Sequence, residues 1–122
     1  MNGIEYIADT NAILYLLSGK ECMRPYLNKR MVVSVIIYME LLSFSGISER
    51  EETVIRSVMS DCVILGINTA VRELTIQLRR RYRIKLPDAI IAATALSYDA
   101  NLVTADNGFE KITELKLDKL IP

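Results

Sequence analysis

The chain has no histidine and no tryptophan, only two cysteines, and no surplus of charge of either sign. The missing histidine excludes Ser-His-Asp and Cys-His nucleophilic sites, imidazole bases and zinc centres of the usual kind. Cys22 and Cys62 stand alone at no metal-ligand spacing, so they read as small apolar residues in a reducing compartment. Fifteen basic residues balance fifteen acidic ones, which leaves no global field to draw the chain to nucleic acid or to a membrane surface. The longest charge-free apolar run, Met31 to Met39, is too short to span a bilayer. The start, Met1-Asn2-Gly3-Ile4-Glu5, lacks the basic region of a signal peptide, so a cytoplasmic location with no membrane partner is expected. Whatever chemistry exists must run on carboxylates, hydroxyls, amides, lysine or arginine.

What is present is 122 residues, 51% of them hydrophobic, enough for one domain (1–122) with a substantial core. Apolar runs at Ile4–Ala8, Met31–Ser34, Cys62–Leu65 and Asn101–Thr104 read as short buried strands, and Leu115–Ile121 as a fifth. Helical periodicity falls between them: Asn11 to about Ser18, Val35–Phe44, a segment opened by the capping box Ser48/Glu51 and running to about Ser60, a helix capped by Thr69, and Leu86–Tyr98. Short helical turns are expected around Met23–Leu27 and Phe109–Ile112. Alternating strands and helices predict a mainly parallel sheet covered on both faces. In such sheets ligands bind beyond the carboxyl ends of the strands, here just after residues 8, 34, 65 and 104.

Acids fall at that edge. Asp9 follows the first strand and Asp106 the fourth. Each also has an ordinary explanation as a helix cap or turn residue. Asp88 sits in the first turn of an Ala/Ile-rich helix entered through Pro87, where the helix dipole by itself favours a negative charge. Glu40 is the only charged residue between Met31 and Ser48 and shares a helical face with Ile37, Leu41 and Phe44. A buried carboxylate there requires a partner arginine, protonation, a helix end or a metal. Four acids at one edge repel one another unless a cation neutralises them, and hard carboxylate oxygens suit Mg²⁺ or Mn²⁺. Arg79, Arg80, Arg81, Arg83 and Lys85 form an acid-free basic run leading into Asp88. It reads equally as a solvated helix end or as a phosphate-binding, RNA-contacting segment.

Four blocks taken together resemble the PIN domain, and within it the VapC-type toxins of toxin–antitoxin pairs. They are Ile7-Ala8-Asp9-Thr10-Asn11, Ser34 through Glu40-Leu41, Leu86-Pro87-Asp88-Ala89-Ile90-Ile91-Ala92-Ala93-Thr94-Ala95, and Leu102-Val103-Thr104-Ala105-Asp106-Asn107-Gly108-Phe109, in the family's order. The resemblance implies a three-layer α/β/α fold around a parallel sheet of four to five strands. It further implies an Mg²⁺- or Mn²⁺-dependent endoribonuclease with Asp9, Glu40, Asp88 and Asp106 as catalytic and metal-binding acids, oriented by Asn11 and Thr104. A homodimer, silenced by a small antitoxin in a hydrophobic groove, belongs to the same expectation. Tyr38 departs from the family, where a threonine is common, and the carboxyl-terminal end is short. The rival is a non-catalytic PIN-like module that binds RNA or protein. Receiver domains are excluded because Leu65-Gly66-Ile67-Asn68 offers no aspartate after the third strand, and haloacid-dehalogenase phosphatases because Asn11 stands where their second aspartate belongs.

Overall fold

A computed structural model describes residues 3–122; Met1 and Asn2, on which part of the reading of the extreme N-terminus rests, lie outside the described residues. Five strands alternate with helices: β1 (Tyr6–Ala8), α1 (Thr10–Leu17), a 3₁₀ helix η1 (Glu21–Tyr26), β2 (Val32–Ser34), α2 (Val35–Leu42), α3 (Glu49–Ser60), β3 (Val63–Leu65), α4 (Thr69–Arg81), α5 (Leu86–Ser97), β4 (Asn101–Thr104), a 3₁₀ helix η2 (Asn107–Lys111) and β5 (Leu117–Lys119). All pairings are parallel. β1 pairs with β4 and β4 with β5, while β2 pairs with β3. β1 packs beside β2 without ladder hydrogen bonds, so the strands lie in the order 3-2-1-4-5.

Consecutive strand residues point to opposite faces. Tyr6, Ile7 and Ala8 are all buried, and so are Leu102, Val103 and Thr104, which requires cover on both sides of the central strands. α5 provides much of it. Ala89 through Ala95 are buried without interruption, and the small alanines let the helix lie close against β1, β2 and β4. α4 packs in turn on α5. β3 is an edge strand, with Ile64 exposed.

Local signals account for most helix boundaries. The Ser48/Glu51 capping box forms, each residue's side chain accepting from the other's backbone N–H. At α4 the cap is Asn68 rather than the expected Thr69. Both residue types cap well, but Asn68 has the extended backbone (φ −86°, ψ −178°) that lets its Oδ1 accept from Val71 N–H, and Thr69 is already helical. Both cysteines are free, Cys62 buried and Cys22 partly so.

Candidate active site

In the order 3-2-1-4-5 the chain reverses its direction of sheet growth between β1 and β4, which is where ligands settle in open parallel sheets. β1 ends at Ala8, so Asp9 emerges at that point. It caps α1 and is 5% exposed. Its Oδ1 accepts from Thr10 N–H at 2.7 Å. Its Oδ2 accepts from the Thr104 hydroxyl at 2.8 Å and from Asn11 Nδ2 at 3.4 Å. Thr104, the last residue of β4, is fully buried, and its hydroxyl oxygen also accepts from Asp106 N–H at 2.9 Å. Asn11 Oδ1 accepts from Ala105 N–H at 3.0 Å. Two neutral side chains thus lock the end of β1 to the segment leaving β4.

Asp106 caps η2, its Oδ1 accepting from Gly108 N–H at 2.8 Å. A Cβ on Gly108 would stand 3.0 Å from that oxygen, so a side chain there would push the Asp106 carboxylate out of its capping position. Asp88 lies in the first turn of α5, behind Lys85 and Pro87. Glu40 projects from α2, and Thr10 Oγ1 donates to it at 3.5 Å.

All four acids line one cleft of about 600 Å³, together with Thr10 and Asn11 and an apolar wall that includes Leu14, Leu41, Phe44, Ile47 and Ile55. Burial, followed by repulsion from Asp88 and Asp106, pushes the Asp9 carboxyl above the usual aspartate range, against the lowering effect of its hydrogen bonds from Thr104 and Thr10. Burial and then Asp106 raise Asp88, with Lys85 and Lys111 opposing. Glu40 is raised by burial and then by Asp88.

Glu40 corrects one expectation. Ile37 and Leu41 of its face are buried, but Glu40 and Phe44 are exposed because nothing among the described residues covers that end of α2. Glu40 is a cleft-mouth acid, not a charge sunk in the core. The basic run also divides. Arg79 Nε donates to Ile84 O at 3.3 Å, and Arg81 pairs with Glu114 at 3.0 Å. Arg80 and Arg81 border a different cleft with Leu74, Leu78 and Leu96. Lys85 adjoins Asp88, and it is joined there by Lys111, a residue no sequence signal marked.

The donor set is the hard-oxygen kind that takes Mg²⁺ or Mn²⁺. Among the described residues no three acids stand close enough to hold an ion between them directly. An ion here would therefore have to be held by at most two of these carboxylates, with water completing its shell, as Mg²⁺ commonly is.

A parallel α/β sheet carrying an acid-lined cleft at its switch point defines a class, and sequence comparison defines it independently: the PIN domain model matches residues 6–115. The chain belongs to the PIN domain family. Within that family its resemblance is to the VapC type. A chain of a toxin–antitoxin complex from Klebsiella pneumoniae is 29% identical, with a TM-score of 0.78, over 96% of this chain and 100% of that one. A DNA-bound VapBC from Salmonella typhimurium is 26% identical with a TM-score of 0.85, covering 95% and 98%. VapBC-1 from nontypeable Haemophilus influenzae is 26% identical with a TM-score of 0.80 over the same shares. Comparison with curated proteins finds no match.

Proposed function

We propose that this chain is an Mg²⁺- or Mn²⁺-dependent endoribonuclease and the toxin of a toxin–antitoxin pair. The observation that carries the reading is the meeting of Asp9, Glu40, Asp88 and Asp106 at one cleft, with Asp9, Glu40 and Asp88 each raised in part by another of the four. A divalent ion bound there supplies a lowered pKa for water and stabilises charge developing at phosphorus. The protein's part is to hold the oxygens in place. The Thr104 hydroxyl donates to Asp9 and accepts from the Asp106 backbone, so the acids at the ends of β1 and β4 keep a fixed relation. Asn11 adds a second strut between the same two segments.

With water attacking phosphorus, rather than the ribose 2′-hydroxyl, and the P–O3′ bond breaking so that the 3′-oxygen leaves as a hydroxyl, the fragments carry 5′-phosphates. End-group analysis of RNA after brief expression tests this, and 2′,3′-cyclic phosphates would overturn it. The open spacing of the carboxylates also accommodates a second reading, a non-catalytic module that binds RNA or protein. Calorimetric titration with Mn²⁺ separates the two, since the module predicts no heat of binding and the enzyme a saturable site lost in Asp9→Asn.

The solved relatives are toxin–antitoxin complexes. By the same reading, the apolar wall of the cleft receives a segment of a small antitoxin. Leu14 is 48% exposed and Phe44 68%, more than a free surface needs beside an acidic floor. Phe44→Asp should abolish co-purification with the product of a small neighbouring reading frame. A homodimer belongs to the proposal as well, and light scattering should return twice 13.8 kDa. No described helix is long and apolar enough to cross a membrane, and an RNA-cutting toxin would act in the cytoplasm.

A further inference from the structure

The acid cleft has two unlike rims. One is apolar, formed by Leu14, Phe44 and Ile47. On the other side stand the start of α5, where Lys85 is three residues before Asp88, and the 3₁₀ helix η2, which Asp106 caps and Lys111 ends. Lys85 is the residue before α5 and its side chain makes no capping hydrogen bond. Lys111 ends η2, the short helix that Asp106 caps, and its Nζ donates to Arg83 O at 2.8 Å. That bond ties η2 to the segment leading into α5 and sets the Lys111 ammonium group two residues along the chain from Lys85. Both lysines are exposed. Among the described residues neither is in an ion pair, whereas Arg24, Lys29, Arg56, Arg72, Arg81, Lys116 and Lys119 all are.

An acidic floor repels a polyanion, so the strand must enter where uncommitted cations offset the field. Resting on the nuclease reading above, we propose that Lys85 and Lys111 form a phosphate-holding rim that sets the path of a single-stranded RNA past Asp88 and Asp106. They bind phosphates flanking the scissile one. They are positioning residues and take no part in bond breaking. Of the rest of the basic run, Arg79 is turned to Ile84 O and Arg81 to Glu114, and Arg80 borders the other cleft.

The probe is a mixed-sequence single-stranded RNA oligonucleotide, bound to the full chain carrying Asp9→Asn in Mg²⁺ and followed by fluorescence anisotropy at several salt concentrations. Each lost phosphate contact should lower the slope of log affinity against log salt by about 0.7, so Lys85→Ala/Lys111→Ala should lose about 1.4. Lys85→Arg/Lys111→Arg should keep the slope. In the otherwise unmodified enzyme the alanine pair should raise KM about tenfold and leave kcat within about twofold, as expected for a lost uniform binding contact. Arg24→Ala, which removes an ion-paired cation on η1, is the control for net charge. Should loss of the Lys111 bond disturb η2, Lys85→Ala alone, which breaks no hydrogen bond, should still lower the slope by about 0.7. An unchanged slope and KM, a fall in kcat alone, or an equal loss from Arg24→Ala overturns the rim. If the unmodified chain neither binds nor cuts RNA, the nuclease reading itself fails, and the rim with it.

Discussion

Asp9 does two jobs that a substitution can separate. Its carboxylate caps α1, and it offers charge to the cleft while held by Thr104 and Asn11. Asparagine caps a helix as well as aspartate does but carries no charge. Asp9→Asn should therefore keep its melting temperature within a few degrees while RNA cleavage in Mn²⁺ falls at least about a hundredfold, a loss within the range seen when one key electrostatic group is removed. A gel assay and a thermal melt on the same sample check both halves. Asp88 makes the opposite case. Among the described residues no donor is hydrogen-bonded to its carboxylate, and burial followed by Asp106 makes its charged form unfavourable. Asp88→Asn should hold or raise the melting temperature of the metal-free protein. A clear drop would make Asp88 a structural partner instead of a site acid. These acids were legible in the sequence because each follows a strand or opens a helix. The exposure of Glu40 was not, because it depends on what covers α2, and no periodicity carries that information.

At the scale of elements, strands and helices followed from period and capping, and the misses share one cause. The cap of α4 falls on Asn68, not on the expected Thr69, because Asn68 has the extended backbone a cap needs and Thr69 is already helical. The division of the basic run is settled by Glu114, thirty-three residues from Arg81. Lys111 meets the segment leading into α5 only because η2 folds back toward Arg83, twenty-eight residues away in sequence. Another long-range tie, from η1, stabilises the opposite end of the sheet. The Tyr26 hydroxyl donates to Asp118 Oδ2 at 3.1 Å, and Asn101 Nδ2 donates to Oδ1 at 2.9 Å, joining η1 to β4 and β5. Burial, then Asp118, pushes the Tyr26 hydroxyl up to about 12. A raised folded-state value means that this stabilisation is fully present below the unfolded tyrosine pKa of about 10 and is lost as pH rises through the folded one. Tyr26→Phe should cost about 1.5 kcal/mol near neutrality, the low end for a hydrogen bond to a charged acceptor because the pair is only partly buried. The gap between the two proteins should close from about pH 10 to about pH 12, as urea unfolding at stepped pH would show.

Across the whole molecule, zero net charge conceals a strongly uneven surface, with an acid floor between a cationic and an apolar rim. The acids of the cleft come from four separate segments: the ends of β1 and β4 and the helices α2 and α5. β1 and β2 are not hydrogen-bonded to each other, so α5 and the side chains at the cleft must help to join the two parts of the sheet. An ion bound at the floor would relieve the repulsion raising Asp9, Glu40 and Asp88, and would exist only in the folded state. Binding to the native state alone stabilises by RT ln(1 + [L]/Kd), about 2.7 kcal/mol at a hundred times the dissociation constant. For a domain of this length that corresponds to a melting temperature about 10 °C higher. Mn²⁺ or Mg²⁺ should therefore raise the melting temperature of the unmodified chain in a saturable way. The rise should shrink strongly in Asp9→Asn and Asp88→Asn, yet persist in Lys85→Ala/Lys111→Ala, whose cations oppose the ion instead of holding it. A melting temperature indifferent to millimolar Mn²⁺ would mean that these carboxylates meet at the cleft without forming a metal site, and would favour the binding-module reading.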